Sequence, residues 1–332
     1  MTRCAVVGAG AWGTALADLL ARNGHPVALW AFEADVVEGV NARHENARFL
    51  KGVPLHVGIS ATGDVAAAVR GAELILFVAP SHVLRRVARQ AAAGAEAGAV
   101  LAVATKGIER ETLALMTDVI AEEIPGRPVV ALSGPSFAAE VAARQPTAVV
   151  AASRDPSAAT SAQRALSSES FRVYTSDDVI GVEMGGALKN VIAVATGMAE
   201  GLGLGFNPRA ALITRGLAEI TRLGVALGAS PLTFAGLAGM GDLVLTCTGA
   251  LSRNRAVGME IGRGAALGEV LAGRETVAEG VTTTQSAHAL AAREGIAMPI
   301  VAAVHGILFE QQPPRSAIAA LMTRELRAER DA

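Results

Sequence analysis

Only three of the chain's 29 basic residues are lysine, Lys51, Lys106 and Lys189; the rest are arginine. Arginine stays protonated, whereas an ammonium can be tuned by its surroundings to give and take a proton. Lysine kept in so arginine-rich a chain therefore points to proton transfer. Lys51, beside Gly52 and Pro54, reads as surface. Lys189 lies within residues 179–202, an apolar stretch broken mainly by Glu183, Lys189, Asn190 and Glu200. A helix apolar on most faces is buried, and a charge inside one is costly unless paired or functional. The alternative is an ammonium that snorkels to water along its own stem. Lys106 follows the apolar run 100–104 and precedes Gly107, a strand end from which it can point into a cleft. Asp242, between Gly241 and Leu243, is suited to orienting a buried ammonium, or else to capping a helix. Thr246 follows one helical turn later. Ser252-Arg253-Asn254 joins a hydroxyl, a planar guanidinium fork and an amide, a set suited to phosphate, although Ser252 also reads as a helix cap. Ser133-Gly134-Pro135-Ser136 offers N–H and hydroxyl donors to an anion.

These groups need a frame, and the sequence supplies one. Gly8-Ala9-Gly10-Ala11-Trp12-Gly13 follows an apolar run at 4–7 and opens a helical segment over 14–23. In that setting Gly8 permits a tight turn, Gly10 lets backbone approach a pyrophosphate, and Gly13 lets helix and strand pack closely. The phosphates would sit at a helix N-terminus, where free N–H groups favour negative charge. Further strands are expected at 26–31, 74–78, 100–104, 129–132, 147–151 and 171–175, separated by alanine-rich helical segments. This alternation argues for a parallel, doubly wound Rossmann-type α/β sheet with ligands beyond the carboxyl ends of its strands. Past Asp178 the pattern turns wholly helical. We therefore expect a dinucleotide-binding domain over 1–178 and an all-α substrate domain over 179–332, with Asp177 or Asp178 capping the helix that carries Lys189. The tail 315–332 alternates arginine and glutamate and reads as a solvated helix.

The tip of the second strand is Phe32-Glu33. An acid there accepts from the 2'-hydroxyl of NAD, whereas a base accommodates the 2'-phosphate of NADP. Glu33 lies somewhat past the usual offset of about 20 residues, so a solvated first-turn charge is the competing reading. His44-Glu45-Asn46 is followed by Arg48 where a zinc helix would need histidine, so no metal site is expected.

Composition narrows the classes. A net charge of −2 and 3% aromatic residues lack the basic face and stacking platforms of nucleic-acid binders. Two distant cysteines, Cys4 and Cys247, fit a reduced compartment without a disulfide framework. The uncharged stretch 223–241 holds Pro231 and repeated glycines, which suit turns rather than a membrane span. Reading the N-terminus as a cleaved signal would discard the glycine fingerprint, so a cytoplasmic protein is expected.

In motif order the chain resembles the bacterial NAD(P)-dependent glycerol-3-phosphate dehydrogenases over nearly its whole length. The motifs are Gly8 to Gly13, Arg43-His44-Glu45-Asn46, Ala79-Pro80-Ser81-His82, Ala104-Thr105-Lys106-Gly107, Ser133-Gly134-Pro135-Ser136-Phe137-Ala138, Gly185-Gly186-Ala187-Leu188-Lys189-Asn190, Gly241-Asp242-Leu243-Val244-Leu245-Thr246-Cys247 and Ser252-Arg253-Asn254. The resemblance implies Lys189 as general acid/base. It implies a phosphorylated small-molecule substrate among Lys106, Gly134, Ser136, Asn190, Asp242, Thr246, Ser252, Arg253 and Asn254. Trp12, Phe49, Lys106, Ala138, Arg253, Val277 and Glu279 match its cofactor-contacting positions, beside Gly8, Gly10, Ala11, Gly13, Phe32 and Glu33. It also implies a homodimer. Two positions depart from its pattern: Ala11 stands where serine is frequent, and Phe32 where arginine or histidine is common, which weakens the case for NADP over NAD. The expected reaction is reversible hydride transfer between dihydroxyacetone phosphate and glycerol 3-phosphate, serving phospholipid synthesis. The competing readings are a related reductase of another small hydroxy acid and a non-catalytic dinucleotide sensor.

Overall fold

The computed structural model describes residues 1–272, 278–326, 328 and 329. Eight strands form one sheet: β1 (Cys4–Val7), β2 (Val27–Trp30), β3 (Ile59–Thr62), β4 (Leu74–Phe77), β5 (Val100–Val103), β6 (Val129–Ser133), β7 (Thr147–Ala152) and β8 (Phe171–Ser176). Their order is β3-β2-β1-β4-β5-β6-β7-β8. The order reverses at β1, which pairs in parallel with both β2 and β4, and the crevice for a ligand opens at that switch point. Connecting helices are α1 (Ala11–Arg22), α2 (Ala34–Arg43), α3 (Val65–Val69), α4 (Ser81–Ala92), α5 (Met116–Glu123), α6 (Ala138–Ala142) and α7 (Pro156–Leu166). Alternate residues of β1 serve opposite faces: Cys4 and Val6 join the core with Leu16 and Leu20, Ala5 and Val7 the core with Leu84 and Met116. Burial on both faces explains why these strands read as unbroken apolar runs.

Two expectations change. The sheet is not wholly parallel, because β7 runs antiparallel to β6 and β8 then follows β7. A parallel return needs a crossover of roughly a dozen residues or more, usually built on a helix. Residues 134–146 carry only the five-residue α6, which does not carry the chain back along the sheet. The sequence reading also lacks β3, a four-residue edge strand paired with β2.

Beyond β8 the described residues are helical: α8 (Val179–Gly201), α9 (Phe206–Ala226), α10 (Pro231–Phe234), a π-helical turn (Leu237–Gly241), α11 (Asp242–Thr248), α12 (Arg253–Gly262), α13 (Leu267–Ala272), α14 (Glu279–Arg293), α15 (Pro299–Phe309) and α16 (Pro314–Met322). By length and apolarity α8 could cross a bilayer, yet it is the buried strut of this half, packed by α9, α11, α12 and α14. Asp178 caps it, accepting from Gly181 N (2.9 Å), Ser230 N (3.0 Å) and the Thr233 hydroxyl (2.5 Å). Glycines let α12 reach the α8 backbone: a β-carbon on Gly258 would lie 2.1 Å from Val194 O. The tail is not one solvated helix, since α16 ends at Met322.

Candidate active site

The three fingerprint glycines have different physical reasons. Gly8 sits at φ +123°, and a β-carbon there would lie 2.8 Å from Ala79 N. On Gly13 it would lie 1.8 Å from Gly8 O, so α1 closes on β1 only without a side chain. Around Gly10 no protein atom lies within 4 Å of that position. Protein packing therefore requires two of the glycines and leaves room over the third, where a phosphate needs it. Gly10 caps α1 with no side chain on its N–H groups, and Ala11 and Trp12 begin the helix. The buried Nε1 of Trp12 has no hydrogen-bond partner among the described residues. A bare helix N-terminus, an open glycine and an orphaned donor fit the residues to a dinucleotide. Asn46 holds the loop in place, donating to Ala9 O and Thr14 Oγ1, both at 2.8 Å, and accepting from Phe49 N at 3.0 Å.

At the tip of β2, Phe32 is 76% exposed and Glu33 caps α2 through backbone alone. Arg48 lies 3.5 Å from Asp35 and 5.3 Å from the half-buried Phe49 ring. Ala138 begins α6, which packs on α1. Val277 lies outside the described residues.

The lysines meet on one carboxylate. Lys189, 7% exposed, donates to Asp242 Oδ1 and to Thr246 Oγ1 (2.8 Å), while the Thr246 hydroxyl donates to Asp242 O (2.6 Å). Lys106 donates to the other oxygen, Asp242 Oδ2 (2.7 Å), and to Gly134 O (3.1 Å). The approach depends on small residues in α8. A β-carbon on Gly185 would lie 2.4 Å from Ala238 O, so Gly185 lets the π-helical turn bring Asp242 down beside Lys189. Burial, the largest influence, pushes the Lys189 pKa down to about 8; Asp242 opposes it and Lys106 adds to it. The ammonium is thereby brought near neutrality, where it can both give and accept a proton. Both cysteines are free and buried, their thiols pushed up to about 12, which removes them as nucleophiles.

Around this pair the other residues divide into occupied and available. Ser252 Oγ accepts from Arg255 N (3.2 Å) and caps α12, so the cap reading holds for it. Ser136 Oγ donates to Gly134 O (3.0 Å). Asn254 donates to Asn190 Oδ1 and accepts from Gly280 N, both at 2.9 Å, tying α12, α8 and α14 together. Glu279 reaches α4, accepting from Ser81 N (3.0 Å) and the Ser81 hydroxyl (2.5 Å), and so joins the helical half to the sheet beside Gly107. Arg253 makes no hydrogen bond or ion pair with the described residues, and its side chain is exposed. Its fork of donors is free for a ligand.

Sequence reasoning placed Ser133 among the anion donors and the Ala79-Pro80-Ser81 strand end near the cofactor, but it missed Asn46 and Ser81 as tethers of the site and the orphaned state of the Ser133 hydroxyl. Asn46 and Ser81 stand within motifs quoted for the resemblance, but nothing local marks an asparagine or a serine as a tether.

The chain is similar to known proteins over both of its halves. Residues 3–159 match the family profile described as NAD-dependent glycerol-3-phosphate dehydrogenase N-terminus, and residues 178–319 match its C-terminus. Glycerol-3-phosphate dehydrogenase [NAD(P)+] of Geobacter sulfurreducens is 56% identical over 99% of both chains, and that of Myxococcus xanthus 51% over 98% of both. The crystal structure of glycerol-3-phosphate dehydrogenase from Coxiella burnetii superposes with a TM-score of 0.94 at 42% identity, over 97% of this chain and 99% of that one. With both halves of the profile matched and the two lysines gathered on one aspartate, the chain belongs to the NAD-dependent glycerol-3-phosphate dehydrogenase family.

Proposed function

We propose that this chain interconverts sn-glycerol 3-phosphate and dihydroxyacetone phosphate with NAD(P)(H), supplying glycerol 3-phosphate for phospholipid synthesis. One observation carries the residue roles: a buried lysine with a pKa of about 8 shares Asp242 with a second ammonium, while an unpaired guanidinium stands nearby. A nicotinamide cofactor, when bound, supplies or accepts the hydride. Gly8, Gly10, Gly13, Ala11 and Trp12 hold its pyrophosphate end at the α1 N-terminus, with Phe32, Glu33, Phe49, Ala138, Val277 and Glu279 as further contacts. Lys189 protonates the carbonyl oxygen as it gains negative charge, and takes the proton back in the reverse direction. Such positioned proton transfer contributes on the order of 100- to 10,000-fold. Asp242 and Thr246 fix the direction of the ammonium. Lys106 lowers its proton affinity and attracts the same oxygen. Arg253, the remaining N–H of Asn254 and the donors of Gly134 to Ser136 hold the phosphate, with Ser252 and Asn190 keeping that wall in place. Holding the remote phosphate orients the carbonyl carbon.

The exposed Phe32 in place of a base favours NAD over NADP. The mainly apolar helical half supports a homodimer, and the buried thiols support a cytoplasmic setting. The change from sheet to helices supports a domain boundary at residue 178. The test is absorbance loss from NADH and from NADPH with dihydroxyacetone phosphate, for the native chain and Lys189→Met. Native turnover with a variant that binds cofactor but is inactive is expected; a Lys189→Met enzyme of near-native rate sinks the assignment.

A further inference from the structure

Beside Lys106 lies a small cavity that the reaction as described does not use. It has a volume of about 10 Å³, and Thr105, Lys106, Ser133, Glu183 and Gly186 are among the residues lining it. Gly186 makes the space, since a β-carbon there would lie 2.5 Å from Ser133 Oγ and 3.6 Å from Lys106 Cγ. Ser133 is 5% exposed, and its hydroxyl has no hydrogen-bond partner among the described residues. Glu183, 8% exposed, accepts from Thr117 N (2.9 Å) and the Thr117 hydroxyl. A carboxylate has about four acceptor sites, so both of its oxygens keep capacity. A buried hydroxyl ordinarily bonds something, and a cavity of roughly 10 Å³ or more with two to four polar partners holds one water.

We propose that an internal water held by Ser133 and Glu183 fills this cavity, and that Glu183 is a positioning residue whose charge is felt by Lys106 and Lys189. Burial raises the Glu183 pKa to about 7, with its Thr117 bonds opposing, so its charge changes where the enzyme works. The charged groups facing it are Asp118 on α5, which raises it further, and Lys106 across the cavity; Lys189 lies six residues further along α8 and about 120° round it. The strands β6 and β7 and the π-helical turn bring no ionisable side chain. Six residues rise about 9 Å along the helix axis, and the turn between the two faces sets the charges of Glu183 and Lys189 somewhat further apart, at roughly 12 Å. At an effective dielectric near 20, a unit charge at that range moves a pKa by about one unit.

The inference rests on Lys189 as the acid/base, so one readout is independent of turnover. In Glu183→Gln, which keeps the shape and an oxygen for Thr117, the high-pH limb of dihydroxyacetone phosphate reduction should move down by about one pH unit. Carbon-13 NMR of the cofactor-free protein should show a glutamate carboxyl, absent in Glu183→Gln, titrating near neutrality. In Ser133→Ala, which loses the water's anchor, that midpoint should rise. A Glu183→Gln profile superimposed on the native one overturns the action on the lysines. A midpoint indifferent to Ser133→Ala overturns the water. Failure of Lys189→Met to abolish turnover would overturn the reaction scheme, while the NMR titration would still decide the water independently.

Discussion

Changing Asp242 to asparagine removes one charge from the centre of the site with little change of shape. The residue is 1% exposed, and its two oxygens hold Lys106 at 2.7 Å and Lys189. A unit charge about 4 Å away at an effective dielectric of about 20 is worth ~4 kcal/mol, or about three pH units of ammonium affinity. Burial and the Lys106 charge persist in Asp242→Asn, so the Lys189 pKa of about 8 should fall toward about 5. The protonated share of Lys189 at about pH 7 then drops from roughly nine-tenths to roughly one-hundredth. Reduction of dihydroxyacetone phosphate needs that proton, so its rate should fall about 100-fold at neutrality and recover as the pH is lowered toward about 5. The assay is the initial rate of NADH loss across pH. Quenching of tryptophan fluorescence by cofactor shows independently that the site still folds, because Trp12 lies in the cradle. A variant whose residual activity is depressed equally at every pH, with the high-pH limb unmoved, would refute the electrostatic role and leave Asp242 a purely geometric one.

The glycine fingerprint should separate in two. Gly13→Ala forces a β-carbon within 1.8 Å of Gly8 O and should cost about 3 kcal/mol or more in a denaturant melt. Gly10→Ala meets no protein atom, so the melt should be unchanged while NADH binding weakens; equal melting losses would contradict the assignment. Arg253→Ala should raise the KM for dihydroxyacetone phosphate by about 10- to 100-fold and spare a non-phosphorylated analogue, since a hydrogen bond to a charged group is worth about 1.5–3 kcal/mol. Glu219, buried and accepting from Ile300 N (2.8 Å) and Val301 N (3.3 Å), has its pKa raised by burial to about 7. Between the ordinary carboxylate value and 7 the unfolded chain has lost this proton and the folded one keeps it, so stability falls as pH rises through that window. Glu219→Gln should flatten that slope in denaturant titrations, and an unchanged slope would exclude Glu219 as its source.

Signals that are local in the chain were legible in the sequence. The turn at Gly8 and the packing at Gly13 follow from a strand and a helix next to each other, and the structure gives both glycines those jobs. Lys189 was legible because an ammonium inside an apolar helix is costly wherever that helix packs. The reversal of β7 was not, because it depends on how far residues 134–146 carry the chain, and composition does not encode that. Glu279 stood out through the resemblance alone, as a cofactor-contacting position, with no local pattern to mark it. Its contact with Ser81, far upstream, exists because α14 packs across α8 and meets the start of α4. Asp242 shows the division most clearly. Its isolation among glycine and apolar residues nominated it as a partner for an ammonium, but no local pattern says that one carboxylate serves two. That sharing comes from three long-range approaches: β5 delivers Lys106, α8 delivers Lys189, and the π-helical turn against Gly185 delivers the aspartate. The chemistry follows from the convergence, since an aspartate divided between two ammonium groups holds Lys189 in place while burial, and after it the second positive charge, keeps its proton affinity low enough for turnover.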